Sequence, residues 1–179
     1  VYFVLDAPFV TRRDFERAAS YGFANVRRDN NWTTYLCEAA EVCWQLRDEK
    51  LAAELYELLL PCASYNSLAV FSALSWGSMA RGLGTLATVL GNYDAAEGHF
   101  ELALERNAAL QALPWVARTR CNYAAMLYAR DRAGDRERAR TLLTQALETA
   151  QALGMAPLAS EAEARLAGRG AAGATEGPA

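Results

Sequence analysis

Apolar residues recur at spacings of three and four along most of the chain, which predicts a succession of amphipathic helices. Gly91 and Gly154 are placed to end two of these helices, and Pro157 suits the first turn of the last one. The expected class is therefore all-α, with about eight helices. Their predicted ranges are close to 9–21, 31–47, 49–60, 68–91, 93–107, 111–131, 135–153 and 156–167.

A small–large–small pattern recurs on the second helix of each predicted pair. Ala96, Phe100 and Ala103 lie on one helical face, where the small residues admit a neighbouring helix and the aromatic ring fills the space beside them. The same spacing occurs at Ala139, Leu143 and Ala146, at Ala52, Tyr56 and Leu59, and more weakly at Thr11, Phe15 and Ala18. The large residues fall at 15, 56, 100 and 143, at intervals of 41, 44 and 43 residues.

This periodicity predicts an α-solenoid of antiparallel helix pairs, in which each pair is stable only in the stack. The pairs span residues 31–60, 68–107 and 111–153, with a half pair near 9–21 before them and a capping helix near 156–167 after them. The repeat domain thus covers residues 1–167. Residues 168–179, rich in glycine, are predicted to be a disordered tail.

Composition and charge exclude several classes. A net charge of -3 gives no electrostatic footprint for nucleic acid or anionic lipid, and no apolar run approaches the roughly 18 residues of a membrane span. The cysteines show no C-x-x-C pairing and suit buried helical positions in a reducing cytoplasm, without a disulfide or a zinc site. The chain begins at Val1 without a signal peptide, as expected of a piece of a longer protein.

Candidate catalytic groups are sparse, so we expect no enzyme activity, no cofactor and no metal in this segment. Gly82 and Gly84 belong to no phosphate-binding loop, because the lysine and the preceding strand are missing from the pattern. His99 has no serine or cysteine nucleophile near it in sequence. The arginines between residues 130 and 140 alternate with acidic residues, which favours a salt-bridged helix start over direct nucleic-acid binding.

Residues 77–110 resemble a tetratricopeptide repeat (TPR). The signature positions are filled by Leu83, Gly84, Gly91, Tyr93, Ala96, Phe100 and Ala103. Ala80 replaces the usual tryptophan, no proline follows, and the interval exceeds the usual 34 residues. The resemblance implies a right-handed superhelix with a concave surface made by the first helices of the pairs.

Longer phrases point to a narrower group. Three phrases resemble the C-terminal TPR region of bacterial multidomain AAA/STAND ATPase regulators. They are residues 22–25 with 28–32, residues 55–61, and residues 114–120 followed by 134–140. Some of those proteins carry a class III nucleotide cyclase domain and others a LuxR-type DNA-binding domain. The resemblance implies a cytoplasmic module for protein–protein interaction or signal sensing. Its partner would be a protein or peptide, including the ATPase or effector domain of the same longer chain, and a homo-oligomer is compatible with it.

Alignment to the family's groove assigns ten candidate binding residues on first helices. They are Thr34, Glu41, Trp44, Gln45, Ser78, Arg81, Thr85, Thr88, Arg118 and Tyr128. Tryptophan, tyrosine and arginine in a groove suit an extended peptide or a helix. Two alternatives remain open at this stage: a sensor of a small-molecule effector, and a purely structural scaffold.

Overall fold

The computed structural model describes residues 12–26, 28–29, 31–69 and 74–168, and within them the chain is mostly helical. These described residues form eight α-helices, as the hydrophobic spacing predicts. They are α1 (Arg12–Tyr21), α2 (Trp32–Leu46), α3 (Glu49–Leu59), α4 (Met79–Val89), α5 (Tyr93–Ala109), α6 (Leu113–Arg130), α7 (Asp135–Ala152) and α8 (Ala156–Leu166). Residues 9–11 of the predicted half pair and residues 169–179 of the predicted tail lie outside the described residues.

A β-hairpin stands where the sequence predicts the first turns of α4. Strand β1 (Asn66–Ala69) pairs antiparallel with β2 (Leu74–Ser78), so the helix expected from residue 68 begins only at Met79, and the predicted start of α4 is wrong. Gly77 has φ of 76°, which no residue inside an α-helix adopts. The hydroxyl of Ser78 then accepts a hydrogen bond from the amide of Ala80 and caps the helix. Residues 70–73 at the hairpin tip are outside the described residues.

Short connections turn the chain back after each long helix. Gly91, with φ of 70°, follows α4, and the Asn92 side chain accepts a hydrogen bond from Ala95 at the start of α5. Pro114 occupies the first turn of α6 and Pro157 that of α8. Each helix from α4 to α8 consequently packs against the next one, and α4 also contacts α2 and α6.

The core runs through the small–large–small positions. Ala96, Phe100 and Ala103 on α5 are fully buried, and Phe100 stacks on Tyr123 of α6 with ring centroids 5.4 Å apart. Gly84 of α4 packs closely against the same ring. The equivalent residues of α3 and α7 are buried in the same way, except for Tyr56, which is half-buried. The side chains of Phe15 and Ala18 in the weakest copy lie outside the description.

Candidate functional site

Five charged side chains form two groups of ion pairs, one joining α2 to α4 and the other joining α6 to α8, and we call them together the arginine–glutamate cluster. Arg81 donates from Nη1 to Oε2 of Glu41 at 2.7 Å. Arg118 donates from Nη1 to Oε2 of Glu161 at 2.6 Å, and Nη2 of Arg165 lies 3.0 Å from Oε1 of the same glutamate. The cluster therefore consists of Glu41, Arg81, Arg118, Glu161 and Arg165, on helices that occupy alternate places in the chain.

The arginines of the cluster are more enclosed than their partners. The side chain of Arg81 is 6% exposed and that of Arg118 is 17% exposed, whereas both glutamates are 30% exposed. Charged groups in such surroundings keep their ionised form only when opposite charges compensate for the lost water. The glutamates therefore compensate for the water that the two enclosed arginines have lost.

The hairpin and α6 together fix Arg81. Its guanidinium lies 5.4 Å from the centroid of the Trp115 ring, within the range of a cation–π contact. The hairpin in turn holds Trp115, because the indole nitrogen donates to the carbonyl of Ser75 at 2.9 Å. A Cβ atom on Gly77 would come within 2.7 Å of Cγ of Trp115, so only glycine allows this approach. The hairpin that replaces the predicted first turns of α4 is thus part of the site.

A buried amide connects the same two helices. Asn107 of α5 accepts a hydrogen bond from the amide of Ser78 at 2.8 Å through its side-chain oxygen. Its side-chain nitrogen donates to the hydroxyl of Thr119 on α6 at 3.3 Å. Because Asn107 is fully buried, this bridge sets the position of the α4 start relative to α6, and with it the position of Arg81.

Electrostatics keep the cluster charged. Burial acts to raise the pKa of Glu41, but the charges of Arg81 and Arg118 outweigh burial and leave that pKa below its ordinary value. Burial likewise acts to lower the pKa of Arg118, and Glu161 and Glu41 reverse the effect and raise it. The mutual influence of Glu41 and Arg118 indicates that the two halves of the cluster form one electrostatic unit.

Two buried donors near the cluster have no hydrogen-bond partner within the described part of the chain. They are Nε of Arg81 and Nδ2 of Asn122. Asn122 follows Arg118 by one helical turn on α6 and is 5% exposed. Buried donors are satisfied in almost all native structures. Two unsatisfied donors, one in the cluster and one a helical turn from it, therefore need an explanation.

Thiols beside the cluster have no nucleophilic character. Burial raises the pKa of Cys37 to about 11 and that of Cys121 to about 12. Both groups stay protonated at neutral pH, and a protonated thiol is neither a nucleophile nor a metal ligand. Within the described ranges, no group of three histidine, cysteine or acidic side chains is close enough to hold a metal ion.

Three of the ten residues that the sequence assigns to a groove meet in the cluster: Glu41, Arg81 and Arg118. Four others are buried hydroxyls with intramolecular roles. Thr34 hydrogen-bonds Ser67, Ser78 caps α4, and Thr85 and Thr88 donate to backbone carbonyls of their own helix.

The other three assigned residues lie farther along their helices. Trp44 is half-buried with the guanidinium of Arg47 5.9 Å from its ring centroid, and Gln45 is exposed. Tyr128 is half-buried, ten residues beyond Arg118 on α6. Within the described part of the chain, none of these three forms a hydrogen bond or ion pair with the cluster.

Glu161, Arg165 and Asn122 are members or neighbours of the site that the sequence did not reveal. One signal was available, because Glu161 follows Arg118 by 43 residues, the interval that separates Phe100 from Leu143. Helix α8, predicted only as a cap, thus supplies charged side chains to the cluster. Trp115, whose ring contacts Arg81, is likewise absent from the ten assigned residues.

The chain matches no protein-family model, no curated protein and no solved structure. Among the described residues, no helix combines the length and the apolar character needed to cross a bilayer.

Proposed function

We propose that this chain is a TPR-like interaction module, a right-handed superhelix of helix pairs within a larger cytoplasmic bacterial regulator. The observation that carries the proposal is the arginine–glutamate cluster, which gathers five charged side chains from alternate helices. In a solenoid of helix pairs, alternate helices line the same face. That face would hold a partner protein or peptide, including a domain of the same longer chain.

Charge placement favours a binding role over a purely structural one. Replacing a buried ion pair with apolar residues of similar volume is often neutral or stabilising, so ionic groups are a poor means of merely holding helices together. Arg81 is enclosed by the hairpin, α2 and α6, yet it retains a donor that no group in the described structure satisfies. An unsatisfied donor contributes nothing to the packing of a scaffold, whereas a bound partner can accept a hydrogen bond from it.

Regulation would follow from the way the ion pairs connect non-adjacent helices. The Glu41–Arg81 pair joins α2 to α4, and the Arg118–Glu161 pair joins α6 to α8. A partner that contacts the cluster better in one spacing of these helices than in another would shift the population toward that spacing. The attached effector domain would respond to this shift.

Sensing of a small-molecule effector is the second candidate, favoured by the contact of Trp115 with Arg81. An aromatic ring beside a guanidinium offers a stacking surface and a charged group in one place. This candidate predicts saturable binding of a small ligand without any partner protein.

Partner capture tests the proposal. The Arg81→Ala/Arg118→Ala double variant is compared with wild type and with an Arg132→Ala/Arg136→Ala control, whose side chains are exposed. The bait is tethered, and the recovered proteins, including the remaining domains of the full-length regulator, are identified by mass spectrometry. We expect capture by wild type and control and its loss in the double variant.

The opposite result has a definite meaning. Unchanged capture by a double variant with a wild-type circular-dichroism spectrum would exclude the cluster as the binding surface. Small-angle scattering on the wild type tests the architecture separately, since a superhelix requires an elongated, curved particle.

A further inference from the structure

We propose that the arginine–glutamate cluster binds a ligand carrying two or more carboxylates, which take Arg81 and Arg118 from Glu41 and Glu161. This inference rests on the proposed binding role of the same face and adds the chemical class of the ligand. The class covers a free polycarboxylic acid and an aspartate- or glutamate-rich peptide segment, which present the same chemistry.

The cluster has more positive than negative groups. Three arginines share two glutamates, although the chain as a whole has a net charge of -3. Both unsatisfied polar atoms beside the cluster, on Arg81 and Asn122, are donors. The cluster therefore lacks an acceptor. A bound anion would compensate the extra positive charge and accept hydrogen bonds from the unsatisfied donors.

Arg81 is bound to its internal partner in an incomplete way. Glu41 accepts one hydrogen bond, from Nη1, while Nε has no partner. A guanidinium and a carboxylate form their strongest contact when two parallel N–H groups donate to the two oxygens. An external carboxylate that engages Nε and a terminal nitrogen of Arg81 would provide the second hydrogen bond that Glu41 does not.

The geometry calls for two anionic groups rather than one. Trp115, Arg118 and Asn122 succeed one another at spacings of three and four on α6, so they share a face. Arg81 approaches the first of these three from α4. Arg81 on α4 and Arg118 on α6 therefore offer two separate binding points on helices that contact each other. A ligand with two carboxylates can occupy both.

The exposure of the partners shows which groups can move. Each glutamate is 30% exposed and is able to turn toward water, whereas Arg81 is enclosed. Exchange of one carboxylate for another keeps the arginines compensated, so no buried charge is left unpaired during binding. The exchange also breaks the ion pair between α2 and α4 and the ion pair between α6 and α8. Ligand binding is thereby linked to the arrangement of the stack.

Isothermal titration of the full chain tests the inference with two carboxylate probes, citrate and a hexaglutamate peptide. A hexaglutamine peptide is the uncharged control, and all titrations are run at one ionic strength. We expect saturable binding of at least one carboxylate probe, no binding of hexaglutamine, and at least a tenfold loss of affinity in Arg81→Gln/Arg118→Gln. Arg132→Gln/Arg136→Gln, which removes two exposed arginines elsewhere, is expected to bind like wild type.

The competing glutamates supply a sharper test. Removing the internal carboxylate in Glu161→Gln is expected to tighten binding about three- to tenfold, because the ligand no longer displaces it from Arg118. Glu41→Gln is expected to act in the same direction, and Glu161→Gln alone decides if Glu41→Gln fails to fold. An electrostatic role without displacement also predicts tighter binding, but then Asp94→Gln, a surface carboxylate outside the cluster, would tighten it equally and overturn the inference.

The two probes separate the sources of the carboxylate. Binding of citrate alone identifies a small acid as the ligand class, and binding of hexaglutamate alone identifies an acidic segment. Failure of both probes to bind the wild type and folded Glu161→Gln overturns this inference. Partner capture that depends on Arg81 and Arg118 would survive such a failure, so the proposed function is judged independently.

Discussion

A Cβ atom on Gly84 would lie 2.7 Å from Cε1 of Phe100, closer than side chains pack in folded proteins. The contact joins α4 to α5 at the position where a small residue and an aromatic ring face each other. The Gly84→Ala variant must therefore displace a fully buried ring that also stacks on Tyr123. We expect a loss of about 1–3 kcal/mol in the free energy of unfolding, measured by urea denaturation.

A matched glycine on the neighbouring helix serves as the control. Gly98 lies on α5, and a Cβ atom there would meet nothing within 4 Å. Because alanine is a better helix former than glycine, Gly98→Ala is expected to stabilise the protein by up to about 1 kcal/mol. Equal effects of the two substitutions would show that close packing at Gly84 does not limit stability.

The buried ion pair between Arg130 and Asp135 predicts an acid-sensitive contribution to stability. The hydrogen bond from Arg130 outweighs burial and lowers the pKa of Asp135 to about 2, below its ordinary value of 3.8. A depressed folded-state pKa means that the stabilisation is present above pH 4 and is lost as pH falls toward 2. Asp135→Asn is expected to destabilise the fold by about 3 kcal/mol at pH 7, with a smaller difference from wild type at pH 3.

An exposed pair of the same chemistry provides the comparison. Asp131 and Arg136 are 2.7 Å apart, but both side chains are more than half exposed. Asp131→Asn is expected to leave the free energy of unfolding at pH 7 close to that of wild type, because solvent screens an exposed ion pair. Urea unfolding at several pH values distinguishes the two variants, and an equally large loss in both would contradict the role of burial.

His99 is the only histidine in the chain and joins two helix pairs. Its Nε2 lies 2.8 Å from the hydroxyl of Tyr56, and burial lowers its pKa below 6.5. The neutral ring is therefore favoured in the fold, so its contribution is present above pH 6.5 and is lost as pH falls through the folded-state pKa. We expect a midpoint below 6.5 for the imidazole proton resonances in an NMR titration. A midpoint at or above 6.5 would contradict this placement.

Gly77 and Gly134 separate a backbone effect from a packing effect. Both have positive φ, 76° and 85°, but a Cβ atom would clash with Trp115 only at Gly77. Gly134→Ala should cost about 1–2 kcal/mol through backbone strain alone. Gly77→Ala should cost about 1–3 kcal/mol more in urea denaturation and should alter the tryptophan fluorescence, because Trp115 must move.

Much of the helical architecture could be predicted because it depends on local signals. Spacings of three and four, together with Gly91, Gly154 and Pro157, place the helices from α5 to α8 within two residues of their observed bounds. Ala96, Phe100 and Ala103 were likewise recognisable as packing positions, because a small residue and a ring recur at helical spacing. These features require no knowledge of distant contacts.

The hairpin and the cluster could not be predicted in the same way. An apolar run such as residues 68–74 fits a helix as well as a strand, and the choice depends on Trp115, which is far away in sequence. Arg81 and Glu41 were assigned to an open groove, yet the hairpin encloses the arginine. The positions of the charges along first helices were predictable, whereas their burial depends on tertiary contacts.

Helix α4 is the most enclosed segment of the described structure, with every residue from 79 to 88 buried. Helices α2 and α6, the hairpin and α5 surround it, so no face is left on which substitutions pass unnoticed. In a saturation screen for folded protein, α4 would form a continuous intolerant block, while α5 and α7 would show tolerant positions at helical intervals. We therefore expect sequence change to be tolerated mainly on the outer helices, and α4 to be the segment by which distant relatives would be recognised.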